Sequence, residues 1–283
     1  MSPVFSRLLL ATEHTEFDTG AEQIAPALAR RCGAPLMIVL PLVSNPEYEA
    51  QAPQLAARAE AEAAERLAQL RATTAAVGVA AELHARRGPE PYREIVDEAR
   101  ERGADLIIIR RRGRRGLLAN LLLGEMVRNV VAHAPCSVLV APRGARLWSR
   151  GVLVAVDPQT TDMTPVATAA AIAADCALPL SVVGVADAAT DALEQADEAL
   201  QRALATARAF GIAADGSVRV GRPHQQILEA ARQSGADLLV IGRHGDDTLA
   251  RAWLGGVAQK VIGLADLPVL VCVTSTSAES PKP

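Results

Sequence analysis

The sequence predicts an α/β protein made of two tandem, doubly wound, five-stranded parallel sheets with helices on both faces. Three observations predict it. The chain repeats itself once, in order. Each copy alternates short apolar runs with stretches of helical period. The apolar runs are continuous rather than alternating, which is the pattern of strands buried on both faces.

The repeat is read directly from matching segments. "LLLATE" (8–13) matches "VLVAVD" (152–157), and "CGAPLMIVLPL" (32–42) matches "CALPLSVVGVA" (176–186), both offset by 144 residues. "ARERGADLIII" (99–109) matches "ARQSGADLLVI" (231–241) at an offset of 132, and "SVLVAP" (137–142) matches "PVLVCV" (268–273) at 131. The first copy therefore carries about a dozen extra residues between its second and third apolar runs. The polar, Pro-containing "VSNPEYEAQAPQ" (43–54) is the expected loop that holds them.

The elements of the second copy follow in order. "GVLVAVD" reads as a strand. "TPVATAAAIAADCA" (164–177) reads as a helix with Pro165 in its first turn. "PLSVVGVA" is a strand, 191–211 an amphipathic helix ended by Gly211, and "SVRVG" a short strand. Residues 223–235 form a helix closed by Gly235, "ADLLVIG" a strand, 255–265 a helix, and "LPVLVCV" the last strand. Ligands of such sheets bind beyond the carboxyl ends of the strands, at the switch point of the strand order.

Length and composition narrow the function. The 283 residues suit about two domains. Half are hydrophobic but only 2% are aromatic, so the core must be Ala, Val, Leu and Ile, and base-stacking platforms for single strands lack their side chains. A net charge of −3 gives no general pull toward nucleic acid or anionic lipid. Cys32, Cys136, Cys176 and Cys272 form no C-x-x-C pair and read as buried reduced thiols, with no metal site expected. The N-terminal apolar run is short and no 18-residue apolar stretch exists, so a cytoplasmic protein without a membrane partner is expected.

The chemistry concentrates in "IGRHGDDTLARAWLGGV" (241–257). After a strand come Gly242-x-x-Gly245, nine residues, then Gly255-Gly256 at the start of a helix. Glycines after a strand let backbone N–H groups approach a phosphate, and the helix N-terminus adds partial positive charge. No G-K-[ST] follows, and the spacing is not G-x-G-x-x-G. No catalytic constellation appears: no nucleophile elbow, no H-E-x-x-H, and no Ser/His/Asp arrangement.

G-x-x-G, nine residues, then G-[S/T] resembles the nucleotide-binding signature of the universal stress protein family. The opening strand ending in Asp, "GADLLVIG" and the final "LPVLV" extend the resemblance over essentially the whole chain, twice. The resemblance implies an adenine nucleotide alpha hydrolase-like fold with strand order 3-2-1-4-5. It implies a first domain over 1–145 and a second over 146–275, packed as a pseudo-dimer with strands 137–141 and 268–273 at the pairing edge. The tail 276–283 is expected to be disordered. Some members of that family bind ATP and others do not.

Carried over by position, the resemblance places Asp157 against the adenosine part and the backbone of Val185 against adenine. Ile241, Gly242, His244 and Gly245 form the pyrophosphate turn, and Gly255, Gly256 and Val257 open the helix that holds the outer phosphates. Each has a plainer reading: Asp157 before Pro158 as a turn former, His244 as a solvated side chain, Gly255-Gly256 as a tight start to a helix, Val185 as core. Gly256 departs from the pattern, because Ser or Thr is usual there and a hydroxyl is lost. The expected ligand is an adenine nucleotide, ATP, with or without Mg²⁺.

The first copy departs further. Arg110 stands where the first glycine belongs, Gly113 is kept, and ten residues instead of nine precede Gly124. Glu125 replaces Ser/Thr and would repel a phosphate at that helix start. Glu13 replaces the acidic residue conservatively, and Pro41, lacking an N–H, takes the adenine position. This first site is expected not to bind ATP in the family manner. The arginines at 110–112, 114 and 115 read either as an anion site or as a loop whose cations pair with acids of a neighbouring helix or the other domain.

The resulting expectation is a stress or regulatory module that binds nucleotide in its second copy, and a homodimer of tandem chains. The alternative is a nucleotide-independent interaction or structural protein. Enzymatic turnover, as a weak ATPase or self-phosphorylating protein, is expected least.

Overall fold

The computed structural model describes residues 3–44, 49, 51–111, 124–186, 190–243 and 254–273. The first half runs β1 (Leu8–Ala11), α1 (Thr19–Cys32), β2 (Leu36–Val43), α2 (Pro53–Ala76), β3 (Ala81–Gly88), α3 (Pro91–Arg102), β4 (Leu106–Arg110), α4 (Glu125–His133) and β5 (Ser137–Ala141). The second runs β6 (Val152–Val156), α5 (Thr164–Cys176), β7 (Leu180–Ala186), α6 (Thr190–Ala209), β8 (Ala214–Val220), α7 (Pro223–Ser234), β9 (Leu238–Gly242), α8 (Gly256–Leu264) and β10 (Val269–Cys272). Residues 274–283, including the tail expected to be disordered, lie outside the described residues.

The two five-stranded halves join edge to edge through their last strands. Ten strands make one sheet in the order β3-β2-β1-β4-β5-β10-β9-β6-β7-β8. Neighbours within each half are parallel, while β5 and β10 meet antiparallel, with Leu139 opposite Leu270. Those two leucines are counterparts in the repeat, so a pseudo-two-fold axis passes between them. One sheet results because each copy would otherwise leave its last strand as an open edge, and pairing the two edges satisfies both.

The strands are apolar throughout because helices cover both faces. Successive side chains of β1 go to opposite layers: Leu8 and Leu10 join Ile24 of α1, while Leu9 and Ala11 join Ile95 of α3. The first layer continues through Leu139 and Leu270 to Ile172 of α5 and Leu200 of α6. The second continues through Val138 and Val271 to Ile227 of α7 and Val261 of α8. Both layers therefore cross the junction without a break.

Loop chemistry repeats with one exception. Gly33, Gly103 and Gly235 end α1, α3 and α7 in the left-handed conformation, where a side chain is strained. Ala177, the counterpart of Gly33, ends α5 at φ 51° without being glycine. Asp105 and Asp237, from the repeated "GAD", accept backbone N–H bonds from the segments that enter β1 and β6.

The extra residues of the first copy are not all loop. Val43 is the last residue of β2, and Pro53 and Gln54 already belong to the first turn of α2. That helix has 24 residues against 20 in α6, so helix and connection share the insertion. The cysteines are free, but only Cys272 is fully buried; Cys32, Cys136 and Cys176 are partly exposed.

Candidate functional site

The switch point of the second half lies between β6 and β9, whose carboxyl ends open into a cavity of about 520 Å³. Asp157, Val185, Ile241, Gly242, Gly255, Gly256 and Val257 all line it, although 100 residues of sequence separate the first from the last. His244 and Gly245 lie outside the described residues. Among the described residues no helix is long and apolar enough to cross a membrane, and no group of three His, Cys, Asp or Glu is placed to hold a metal ion.

The lower wall of the cavity is the start of α8. Gly255 is its N-cap, held by a bond from its N–H to the Arg243 carbonyl at 3.2 Å. The first intrahelical bond runs from the Gln259 N–H to the Gly255 carbonyl. The N–H groups of Gly256, Val257 and Ala258 stand ahead of it, and no side chain among the described residues caps them. Among the described residues, a Cβ built on Gly256 meets nothing within 4 Å.

The turn-forming reading of Asp157 is seen directly. Its Oδ1 accepts the Gln159 N–H at 2.9 Å and its carbonyl accepts the Thr160 N–H at 3.3 Å, which folds the 157–160 turn. The same residue lines the cavity. Sequence reasoning missed Asp162, Gln195, Gly221, Ile227 and Arg243, which also line it. For Gly221 the signal was its position directly after β8, at a third strand end. Arg243 lies inside the Gly242-x-x-Gly245 stretch, directly after β9, while Asp162, Gln195 and Ile227 come from helices or loops with no local mark.

The counterpart region of the first half holds a side chain instead. Arg110, 2% exposed, takes the place of Gly242 at the end of its strand. Its guanidinium bonds Glu13 at 2.8 Å, Asp18 at 2.7 Å and the Thr15 hydroxyl at 2.6 Å. Asp18 is 1% exposed and also accepts the Thr15 N–H and hydroxyl. Glu13, the counterpart of Asp157, is thus neutralised from within. Pro41 is buried in β2, opposite Arg86 of β3. Gly124 caps α4 and Glu125 opens it. Gly113 and the arginines at 112, 114 and 115 lie outside the described residues.

Arg110 and Arg111 are the described members of the arginine run. Arg110 pairs with acids of its own half. Arg111 crosses to the other half, where it donates to the carbonyls of Gly263 (2.9 Å) and Ala265 (2.6 Å) at the end of α8. Arg243 repeats this in reverse, reaching the carbonyls of Ala132 and Ala134 at the end of α4. Burial lowers both guanidinium pKa values from the ordinary one.

Comparison with known proteins agrees with this architecture. The family model described as "Universal stress protein family" matches residues 5–142 and again 149–273. A universal stress protein of Methanocaldococcus jannaschii is 38% identical over 78 residues, 28% of this chain and 46% of that protein. The chain spans about half the length of the curated relatives it matches. Among solved structures, a universal stress protein from Archaeoglobus fulgidus superposes with a TM-score of 0.72 at 18% identity, covering 94% of this chain and 97% of its own. A putative universal stress protein from Pseudomonas aeruginosa does so with 0.70 at 20% identity, covering 95% and 93%. At these identities the superpositions speak for the fold alone. With both halves matched by one family model, the chain belongs to the universal stress protein family, in a tandem form.

Proposed function

We propose that the protein is a stress-response module that binds one adenine nucleotide, ATP, in its second half, and that the first half does not bind one. The observation that carries this reading is the contrast between equivalent places. In the second half an open cavity meets an acidic strand end, a glycine turn and an uncapped helix start. In the first, Arg110 lies buried on Glu13 and Asp18.

The residue roles follow from the chemistry. Asp157 accepts from sugar hydroxyls. The backbone at Val185 and Ala186, at the end of β7, meets the base. The turn from Ile241 through Gly242, His244 and Gly245 and the N–H groups of Gly255, Gly256 and Val257 take the phosphates. Mg²⁺, if used, arrives with the phosphates, since Asp157 and Asp162 are the only carboxylates among the described cavity residues. A cytoplasmic location, and action through binding rather than turnover, belong to the same proposal.

Titration calorimetry with ATP and ADP, with and without Mg²⁺, tests it. Binding of one nucleotide per chain is expected. Gly242→Leu is expected to abolish it, while Gly124→Ala in the first half leaves it intact. Absence of heat up to millimolar nucleotide overturns the reading in favour of a nucleotide-independent interaction protein. Phosphate release above a denatured control would overturn the non-enzymatic part.

A further inference from the structure

The sheet ends on two open edges, β3 and β8, and they differ in kind. On β3, Arg86 is tied to Glu94, Glu98 and Glu101 of α3, and Arg102 covers Glu82 and His84. These fixed charges must be given up before another strand can dock, which is how natural edges are protected. β8, "ADGSVRV" (214–220), is guarded more lightly: Arg219, at the place of Arg86, is tied to the neutral Gln233 of α7. Asp215, Gly216 and Ser217 are exposed along its middle, and it contains no Lys, Pro or bulge.

We infer that β8 is a self-association edge, pairing antiparallel with β8 of a second copy about a two-fold axis through Ser217. That register sets Asp215 of one copy opposite Arg219 of the other, twice over. It sets Gly216 opposite Val218 and Ala214 opposite Val220, leaving Ser217 facing itself. Every facing pair is compatible, and the two Asp–Arg pairs are of opposite charge. A slip of one residue would bring uncharged groups opposite these charges and turn alternate faces over.

Two further observations support a second copy as the occupant. The molecule already contains this geometry, since β5 and β10 pair antiparallel with Leu139 facing its own counterpart Leu270. Exposed apolar side chains also flank the edge at both ends: Phe210, 46% exposed, precedes it, and Val220, 49% exposed, ends it. In the antiparallel pair the Phe210 end of one copy lies beside the Val220 end of the other. Arg219 now donates to Gln233 of α7 at 2.6 Å and lies near Glu229. These contacts hold its charge on the face that Asp215 of the second copy shares.

Sedimentation equilibrium of the full chain, without nucleotide, tests this independently of the nucleotide reading. A monomer–dimer equilibrium is expected. Asp215→Arg or Arg219→Asp alone should weaken the dimer about ten-fold, and the two together should restore it to within a few-fold. Ser217→Cys should give a single cross-linked dimer under mild oxidation, because directly opposed Cβ atoms lie within disulfide reach. The wild-type chain, with its four cysteines elsewhere, is the control. A strictly monomeric protein, a dimer indifferent to both reversals, or a dimer that Ser217→Cys fails to cross-link overturns the proposal.

Discussion

Arg111 and Arg243 hold one another's halves: each follows the last residue of its strand and donates to the carbonyls that end the other half's last helix. Helix ends leave carbonyls without intrahelical donors, and a cation suits that end of the dipole. Replacing either arginine by Ala should cost about 1.5–3 kcal/mol, the range for hydrogen bonds to a charged group. Urea denaturation measures it. Arg243→Ala should also weaken the proposed nucleotide binding, because Arg243 lines the cavity. Arg111→Ala should leave binding unchanged, so equal effects on binding would contradict the separation.

Arg110 should be the most sensitive polar position of the first half. Removing it strands Asp18 and Glu13, and breaking a buried pair from one side costs about 3–5 kcal/mol. Arg110→Met is expected to lose that much in denaturation, and adding Asp18→Asn should recover part of it. A loss under about 1 kcal/mol would show that the pair is solvated in practice.

Gly256→Ser should tighten nucleotide binding. The position is open to a Cβ, and a hydroxyl there adds one hydrogen bond to phosphate. That is worth about 0.5–1.5 kcal/mol, or roughly a 2- to 12-fold lower Kd by calorimetry. Unchanged affinity would mean that phosphate does not reach the helix start.

Ala177→Gly should stabilise the protein. Ala177 adopts φ 51° at the end of α5, where L side chains are strained by about 1 kcal/mol or more. Gly33 shows the relaxed solution at the same place in the first copy. The expected gain of about 1 kcal/mol is read as a higher urea midpoint with an unchanged slope.

The fold was legible because its signals are local. Apolar runs such as "LLVI" are strands in any context that covers both faces, and Pro223 with Gly235 brackets α7 from sequence alone. The glycine spacing pointed to the strand end at which the cavity opens. What was not legible depends on distant partners. Nothing near Arg110 announces Asp18, 92 residues earlier, and nothing near Arg111 announces Gly263, 152 residues later. Nothing near Gly20 announces that a Cβ there would lie 1.9 Å from the Pro142 carbonyl oxygen. The single sheet was half legible: the repeat named both last strands, but only their antiparallel register fuses them.

That register has a thermodynamic corollary. Strands β1–β5 run one way and β6–β10 the other, so the two sets of carboxyl ends lie on opposite rims of the sheet. A ligand on one rim cannot touch a ligand on the other. With Arg110 held inside the first rim, the nucleotide binding proposed above is expected to titrate as a simple hyperbola with one class of site.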